Sequence, residues 1–304
     1  MCPSLVSDGD PLTPAEDPSP APPALGVVGL GQMGSLMAKR LIGWHGGLYV
    51  HDVRPEAARP LVDEGAYLPA SLAELAGSVE IISVMVLDDQ QVDEVVKGIL
   101  PFARPGTVIA VHSTIRASTA GRLAAEASER DVAVLDAPVS GGVLGASAGR
   151  LALLVGGDRA AFERCREPFS RFADLILHFG PAGAGTRAKL ARNLITFVGL
   201  AGALEAARLA DAAGVDIVAL GRVTTHSDAL AGGPGAILLR NSTAPLAADD
   251  PLREIFAHTC ALGEKDLALA LELGDELDTD LPLGSAALGR LADYFGVPST
   301  RMEK

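Results

Sequence analysis

The segment Leu25–Leu30 is an apolar run that opens directly into Gly29-x-Gly31-x-x-Gly34, and a helical pattern follows from Ser35 to Ile42. Strand, glycine turn and helix in immediate succession restrict the fold more than any other feature of the chain. Bare glycines let the backbone turn tightly and let its amides approach an anionic group, which the positive end of the next helix favours. Leu48 to Asp52 reads as a second strand, so the turn lies in a βαβ unit with an acidic residue closing the following strand. Gly29, Leu30, Gly31, Gln32, Met33 and Gly34 together describe a dinucleotide cradle. Asp52 can accept hydrogen bonds from the adenine-ribose hydroxyls and repel a 2′-phosphate, which favours NAD. Arg54 either suits that phosphate or is a solvated loop residue. The cofactor expected is NAD or NADP, with NAD favoured.

Further buried strands are expected over Glu80–Val86, Thr107–His112, Val132–Val139, Leu151–Gly157 and Leu175–Gly180. Helical spacing lies between several of them, as in Leu72–Ala76 and Ala117–Arg130. That alternation predicts an α/β fold with an N-terminal Rossmann-type, doubly wound, largely parallel sheet. After Gly180 the strand patterns stop. Helices are expected over Thr186–Ala213, ended by Gly214, and near Ile217–Leu230, Leu252–Gly274 and Leu283–Tyr294, which makes the second domain all-helical. Seven of the first 24 residues are prolines, so this stretch has little apolar surface to repay the entropy of ordering. The expected organisation is a disordered proline-rich tail over 1–24, a Rossmann domain over 25–182 and a helical substrate and oligomerisation domain over 183–304.

Composition narrows the function. Twenty-five basic against 38 acidic residues give a formal charge of −13, which excludes nucleic acid and anionic membranes as expected partners. The longest apolar run, Leu194 to Leu204, ends at Glu205 and is short for a bilayer span. With no secretory signal pattern and only Cys2, Cys165 and Cys260, the expectation is a cytoplasmic protein with free thiols. The six histidines make no metal pattern, so metal-free chemistry is expected; His112, before Ser113, and His226, near Ser227 and Asp228, could either of them line a cleft.

Lys189 and Asn193 lie one helical turn apart and share a face. Apolar surroundings disfavour a charged amine, and a neutral lysine is what a general base for a hydroxyl requires. Ser140, Gly141 and Gly142 follow a strand and offer a hydroxyl and amides to a carboxylate. Ser113 and Thr114 end another strand, where they either contact cofactor or simply terminate it.

The segments DAPVSGGVLGASAGRL (Asp136–Leu151) and GPAGAGTRAKLARN (Gly180–Asn193), the Lys265-Asp266-Leu267 triplet and the VGLGQMG turn occur in one order. With that order and spacing the chain resembles the β-hydroxyacid dehydrogenases, 3-hydroxyisobutyrate dehydrogenases among them, from about residue 25 to beyond 295. The resemblance implies Lys189 as acid/base, Asn193 as orienter of the substrate, and Ser140-Gly141-Gly142 as holder of its carboxylate. It further implies Ser113 and Thr114 near the nicotinamide, Lys265 beside nicotinamide and substrate, and a homodimer or homotetramer. The expected reaction passes hydride between the nicotinamide and the hydroxyl-bearing carbon of a small β-hydroxy acid, giving or consuming a semialdehyde. Two alternatives stand: an imine reductase, which usually lacks lysine at the Lys189 position, and a non-catalytic cofactor-binding module, which commonly loses it.

Overall fold

A computed structural model describes residues 21–234 and 243–299, arranged as two compact units, Met1–Leu190 and Ala191–Lys304. The first unit begins β1 (Leu25–Val28), α1 (Gln32–Arg40), β2 (Leu48–His51), a 3-10 turn (Pro55–Ala58), α2 (Arg59–Asp63), α3 (Leu72–Ser78) and β3 (Ile81–Val84). It continues with α4 (Asp89–Ile99), β4 (Val108–Val111), α5 (Ala117–Ser128), β5 (Ala133–Asp136), β6 (Val139–Ser140) and α6 (Gly142–Ala148). Next come β7 (Leu151–Gly156), α7 (Arg159–Phe169), β8 (Ala173–Gly180) and the long α8 (Ala184–Ala212), within which the unit boundary falls.

The sheet runs β2-β1-β3-β4-β5-β7-β6, with β8 on β7. The five strands from β2 to β5 are parallel, as the alternation of strands and helices predicts. Strand β7 is antiparallel to β5 and β6, because β6 and the short α6 replace a full crossover helix between them. The run Val132–Val139, expected as one strand, is interrupted at Ala137-Pro138. Pro138 has no N–H to donate to a ladder, and its carbonyl instead accepts from Leu154. Among the described residues, the chain before β1 is anchored where the Trp44 indole donates to the Pro23 carbonyl at 2.7 Å.

Successive residues of these strands enter opposite faces. Val27, Val50, Ala110 and Leu135 join one buried cluster, and Val28, Val84, Ile109 and Val134 the other. Helices therefore cover both sides, which is why the strands read as unbroken apolar runs. The parallel strands are also in phase: Val28 pairs with His51 and Val84, Val84 with Val111, and Val111 with Asp136. That register brings Gly29, Asp52, Met85, His112 and Ala137 to one carboxyl edge. The strand order reverses at β1, where such sheets open a crevice.

The second unit holds the rest of α8, then α9 (Ile217–Ala231), α10 (Arg253–Glu276), α11 (Pro282–Leu288) and α12 (Leu291–Phe295). One helix was expected over Leu283–Tyr294; the structure breaks it at Gly289-Arg290. Its small core gathers Leu246, Phe256, Cys260 and Val297. Buried Glu205 on α8 accepts the backbone N–H groups of Leu283 and Gly284, at 3.0 and 2.8 Å, and so caps α11 from outside. The Gly232–Gly235 stretch that follows α9 runs out of the described residues after Pro234.

His112 does not line a cleft. It is buried between Phe169 and Phe172, its Nδ1 2.8 Å from the Ala137 carbonyl and its Nε2 3.0 Å from Ser83 Oγ. Burial lowers its pKa from 6.5 to about 4, with the Ala137 carbonyl opposing. The unfolded chain therefore binds a proton near pH 6.5 that the fold refuses until about 4, so stability falls as pH drops through that window. The loss reaches roughly 3 kcal/mol at the lower end. Thermal unfolding between pH 7 and 4 should show a flatter pH dependence in His112→Asn than in the parent. Parallel curves would remove His112 from the acid response.

Candidate active site

Three glycines of the turn do three different jobs. Gly29 sits at φ +90°, and a Cβ there would collide with the Met85 carbonyl oxygen. A Cβ on Gly34 would collide with the Gly29 carbonyl oxygen, so α1 lies directly on the turn. Gly31 is different. It is the N-cap of α1, carries no side-chain cap, and a Cβ on it would have nothing within 4 Å. The protein's own packing does not ask for glycine at Gly31, whereas a pyrophosphate approaching the first turn of α1 would.

A cavity of about 640 Å³ opens there, lined by Gly29, Gly31, Gln32, Met33, Gly34, Asp52 and Arg54. Its far wall, which sequence reading did not find, is made by Leu72, Val86, Leu87, Gln91 and Val95. The signal available was the apolar face of α4, whose start is capped by Asp88. Leu30 does not line the cavity; its side chain is buried, and its N–H donates to Asp52 Oδ2 at 2.7 Å. Asp52 Oδ1 accepts the Arg54 N–H at 2.9 Å and faces Arg54 Nε at 3.5 Å. Partial burial would raise the Asp52 carboxyl, but the two amides and the Arg54 guanidinium together hold it below its ordinary value. Asp52 thus braces the glycine turn as well as facing the cavity. A bare turn, an uncapped helix start and a charged rim fit a dinucleotide.

Ser113 is buried, and its hydroxyl donates to the Val86 carbonyl at 2.7 Å and accepts the Val86 N–H at 3.0 Å. It meets the cavity through Val86, while Thr114 beside it is exposed. Ser140 closes β6. Gly141 and Gly142 follow at φ +127° and +60°, leaving exposed backbone at the start of α6 with no side-chain cap.

Asp136, at the end of β5, reaches the start of α8. Its Oδ1 accepts from the Gly183 N–H at 2.7 Å and its Oδ2 from the Thr186 N–H at 2.6 Å. Lys189 follows one turn later and is buried. Asn193, the next turn along α8, is half-buried and accepts from Arg192 at 3.4 Å. Lys265, on α10 of the second unit, is exposed and pairs with Asp266 at 2.9 Å. Among the described residues, no cluster of three or more potential metal ligands occurs.

Residues 24–180 match the model of the NAD binding domain of 6-phosphogluconate dehydrogenase, and residues 183–294 that of the NAD-binding of NADP-dependent 3-hydroxyisobutyrate dehydrogenase. An oxidoreductase of Mycobacterium tuberculosis is 53% identical over 92% of this chain and 95% of its own length. The NAD-dependent L-serine dehydrogenase of Pseudomonas aeruginosa is 34% identical over 87% of this chain and 89% of its own. The crystal structure of an oxidoreductase from Mycobacterium avium superposes with a TM-score of 0.87 at 50% identity, covering 91% of this chain and 99% of that one.

The contrast among the glycines can be tested. Gly31→Ala should keep the parent's melting temperature and weaken NAD(P) binding roughly tenfold or more, about 1.4 kcal/mol. Gly34→Ala should lose thermal stability as well. Calorimetric titration with NAD and NADP, beside thermal unfolding, separates the two. Unchanged binding in Gly31→Ala would mean that no ligand approaches that backbone.

Proposed function

The chain belongs to the β-hydroxyacid dehydrogenase family, and we propose that it interconverts a small β-hydroxy acid and its semialdehyde or keto acid with Lys189 as acid/base. It is an NAD(P)-dependent oxidoreductase. The observation that carries the proposal is a buried lysine on the helix turn that a buried carboxylate clamps to the sheet's carboxyl edge.

NAD or NADP would be held by the bare turn Gly29–Gly34 and the start of α1, with Asp52 and Arg54 at the adenine ribose. Asp52 favours NAD, and the Arg54 guanidinium on the same carboxylate keeps NADP acceptable. Bound there, the nicotinamide supplies the hydride acceptor or donor. Every other task falls to side chains and backbone of the chain. The amides of Gly141 and Gly142 and the Ser140 hydroxyl hold the substrate carboxylate. Lys189, largely withdrawn from water, takes the hydroxyl proton during oxidation and returns it to the carbonyl during reduction. Asn193 orients the substrate, and Lys265 and Thr114 complete the surroundings of the cofactor. The family model's 3-hydroxyisobutyrate and the relative's L-serine are both three-carbon-backbone β-hydroxy acids, which sets the size of the substrate class.

Helix α8 is long and apolar enough, by length and composition alone, to cross a membrane. Its Glu205 is nevertheless buried against α11, and Leu194, Phe197, Leu200 and Leu204 are exposed beside it. These residues are the surface for a second copy, giving a cytoplasmic homodimer or homotetramer. Light scattering should return at least twice the mass of one chain at micromolar concentration, and Phe197→Glu should lower it. A single-chain mass in the parent would end this assignment.

The chemical test follows nicotinamide absorbance with 3-hydroxyisobutyrate, L-serine and other small β-hydroxy acids, each with NAD and NADP. Lys189→Ala should cut kcat/KM at least roughly a hundredfold. Turnover that survives in Lys189→Ala would dismiss the lysine. Reduction of cyclic imines without oxidation of any hydroxy acid would make the protein an imine reductase.

A further inference from the structure

Thr186 directly follows Ala184-Gly185 at the start of α8, and it is completely buried. Its backbone is committed, because the N–H donates to Asp136 Oδ2 at 2.6 Å. Its hydroxyl is not. Among the described residues, Thr186 Oγ1 is the buried side-chain oxygen or nitrogen without a hydrogen-bond partner. A threonine inside a helix ordinarily returns its hydroxyl to a carbonyl one turn back, as Thr196 does to Arg192, Thr224 to Leu220 and Thr259 to Ile255 in this chain. Thr186 does not. Leaving a buried hydroxyl unpaired is unfavourable, and valine would fill the same volume without that cost. A buried hydroxyl without a protein partner is free to accept one in another state of the site.

A group that can supply such a donor lies on the same helix. Lys189 is three residues on, on the same face, and is itself buried. An amine that has just taken a proton holds an additional N–H donor, which in a buried site must find an acceptor. We infer that Thr186 is a positioning residue for Lys189: its hydroxyl oxygen accepts a hydrogen bond from the Lys189 ammonium once that group carries the substrate's proton. In the proton transfer the substrate O–H bond breaks and an N–H bond forms on Lys189, while no covalent bond of Thr186 changes. The proton moves from the substrate hydroxyl to Lys189 Nζ, and the Thr186 lone pair receives an N–H that did not exist before. The threonine thereby stabilises the protonated form and fixes the direction of the amine. This inference rests on the reading of Lys189 as acid/base.

Asp136 from β5 clasps this turn, and the Arg187 guanidinium on α8 itself lies against Gly183. Neither changes when only the hydroxyl is removed. The test is therefore Thr186→Val against Thr186→Ser. Competitive labelling with acetic anhydride across a pH series, read by mass spectrometry on the Lys189 peptide, reports protonation of that amine without any turnover. Thr186→Val should move the Lys189 midpoint down by about one pH unit, the size of one hydrogen bond to a charged group. Thr186→Ser should stay at the parent's value. With a substrate that turns over, kcat should fall several-fold in Thr186→Val with KM little changed, and serine should restore it.

A role confined to packing predicts the reverse: Thr186→Val as stable as the parent or more so, with the Lys189 midpoint unmoved, and that result overturns the inference. Lys189→Ala keeps the two claims separate. Full turnover in Lys189→Ala removes the acid/base reading. Lost turnover there, with an unmoved midpoint in Thr186→Val, removes only the threonine.

Discussion

The clasp between Asp136 and the first turn of α8 is the interaction on which the arrangement of the site depends. A carboxylate buried as completely as this one is costly to desolvate. The cost is offset because both oxygens accept N–H groups that the helix start cannot satisfy within itself, those of Gly183 and Thr186. The closeness this demands explains the glycines around it. A Cβ on Gly185 would run into the Leu154 carbonyl and, at 2.6 Å, the Asp136 carbonyl; one on Gly156 would meet Asp136 Oδ1 at 2.5 Å. What reads in the sequence as a glycine-rich approach to a lysine is, in three dimensions, the space that lets a helix end touch a sheet.

The same device recurs further along. Glu205 lies on α8 and caps α11 through Leu283 and Gly284, so a second buried carboxylate gives another helix start its missing acceptors. Asp52 does related work at the edge of the cavity, where it accepts the Leu30 and Arg54 amides and so holds the glycine turn in shape. In each case an acidic side chain satisfies backbone donors that the turn or helix start leaves over, at least one of them distant in sequence. The chain is strongly acidic, yet these particular carboxylates are structural braces rather than surface charge.

That distinction marks the limit of what was legible in the sequence. The parallel strands were readable because burial on both faces leaves unbroken apolar runs, and the glycine turn because strand, turn and helix adjoin. The cradle at Gly29, Gly31 and Gly34 could be named, but not that Gly29 and Gly34 answer to the protein's packing and Gly31 to open space. That difference exists only once Met85 has been brought beside β1 by the register of β3. Ser113 was readable as a strand end near the cofactor; its two bonds to Val86 depend on the same in-phase register. His112, placed by sequence beside a cleft, belongs to the core, because alternation along β4 and the position of α7 are tertiary facts. The break at Pro138 was legible in principle, since a proline cannot donate to a ladder.

Lys189 shows why a candidate residue could be picked out in the sequence while its setting could not. The spacing to Asn193 is a property of any helix, and the motif around it is local. What makes the lysine distinctive is the burial of its turn, and that follows from Asp136 drawing the helix onto the edge where the cavity-lining loops also end. The register that aligns Gly29, Asp52 and Met85 also sets Asp136 at that edge. Shifting β5 by one residue would point the Asp136 side chain to the opposite face of the sheet and leave the start of α8 without its acceptors. The cofactor cradle and the buried lysine are therefore not independent acquisitions of the fold. Both are consequences of one in-phase parallel sheet, whose carboxyl edge supplies the bare backbone at one strand and the carboxylate that holds the start of α8 at another.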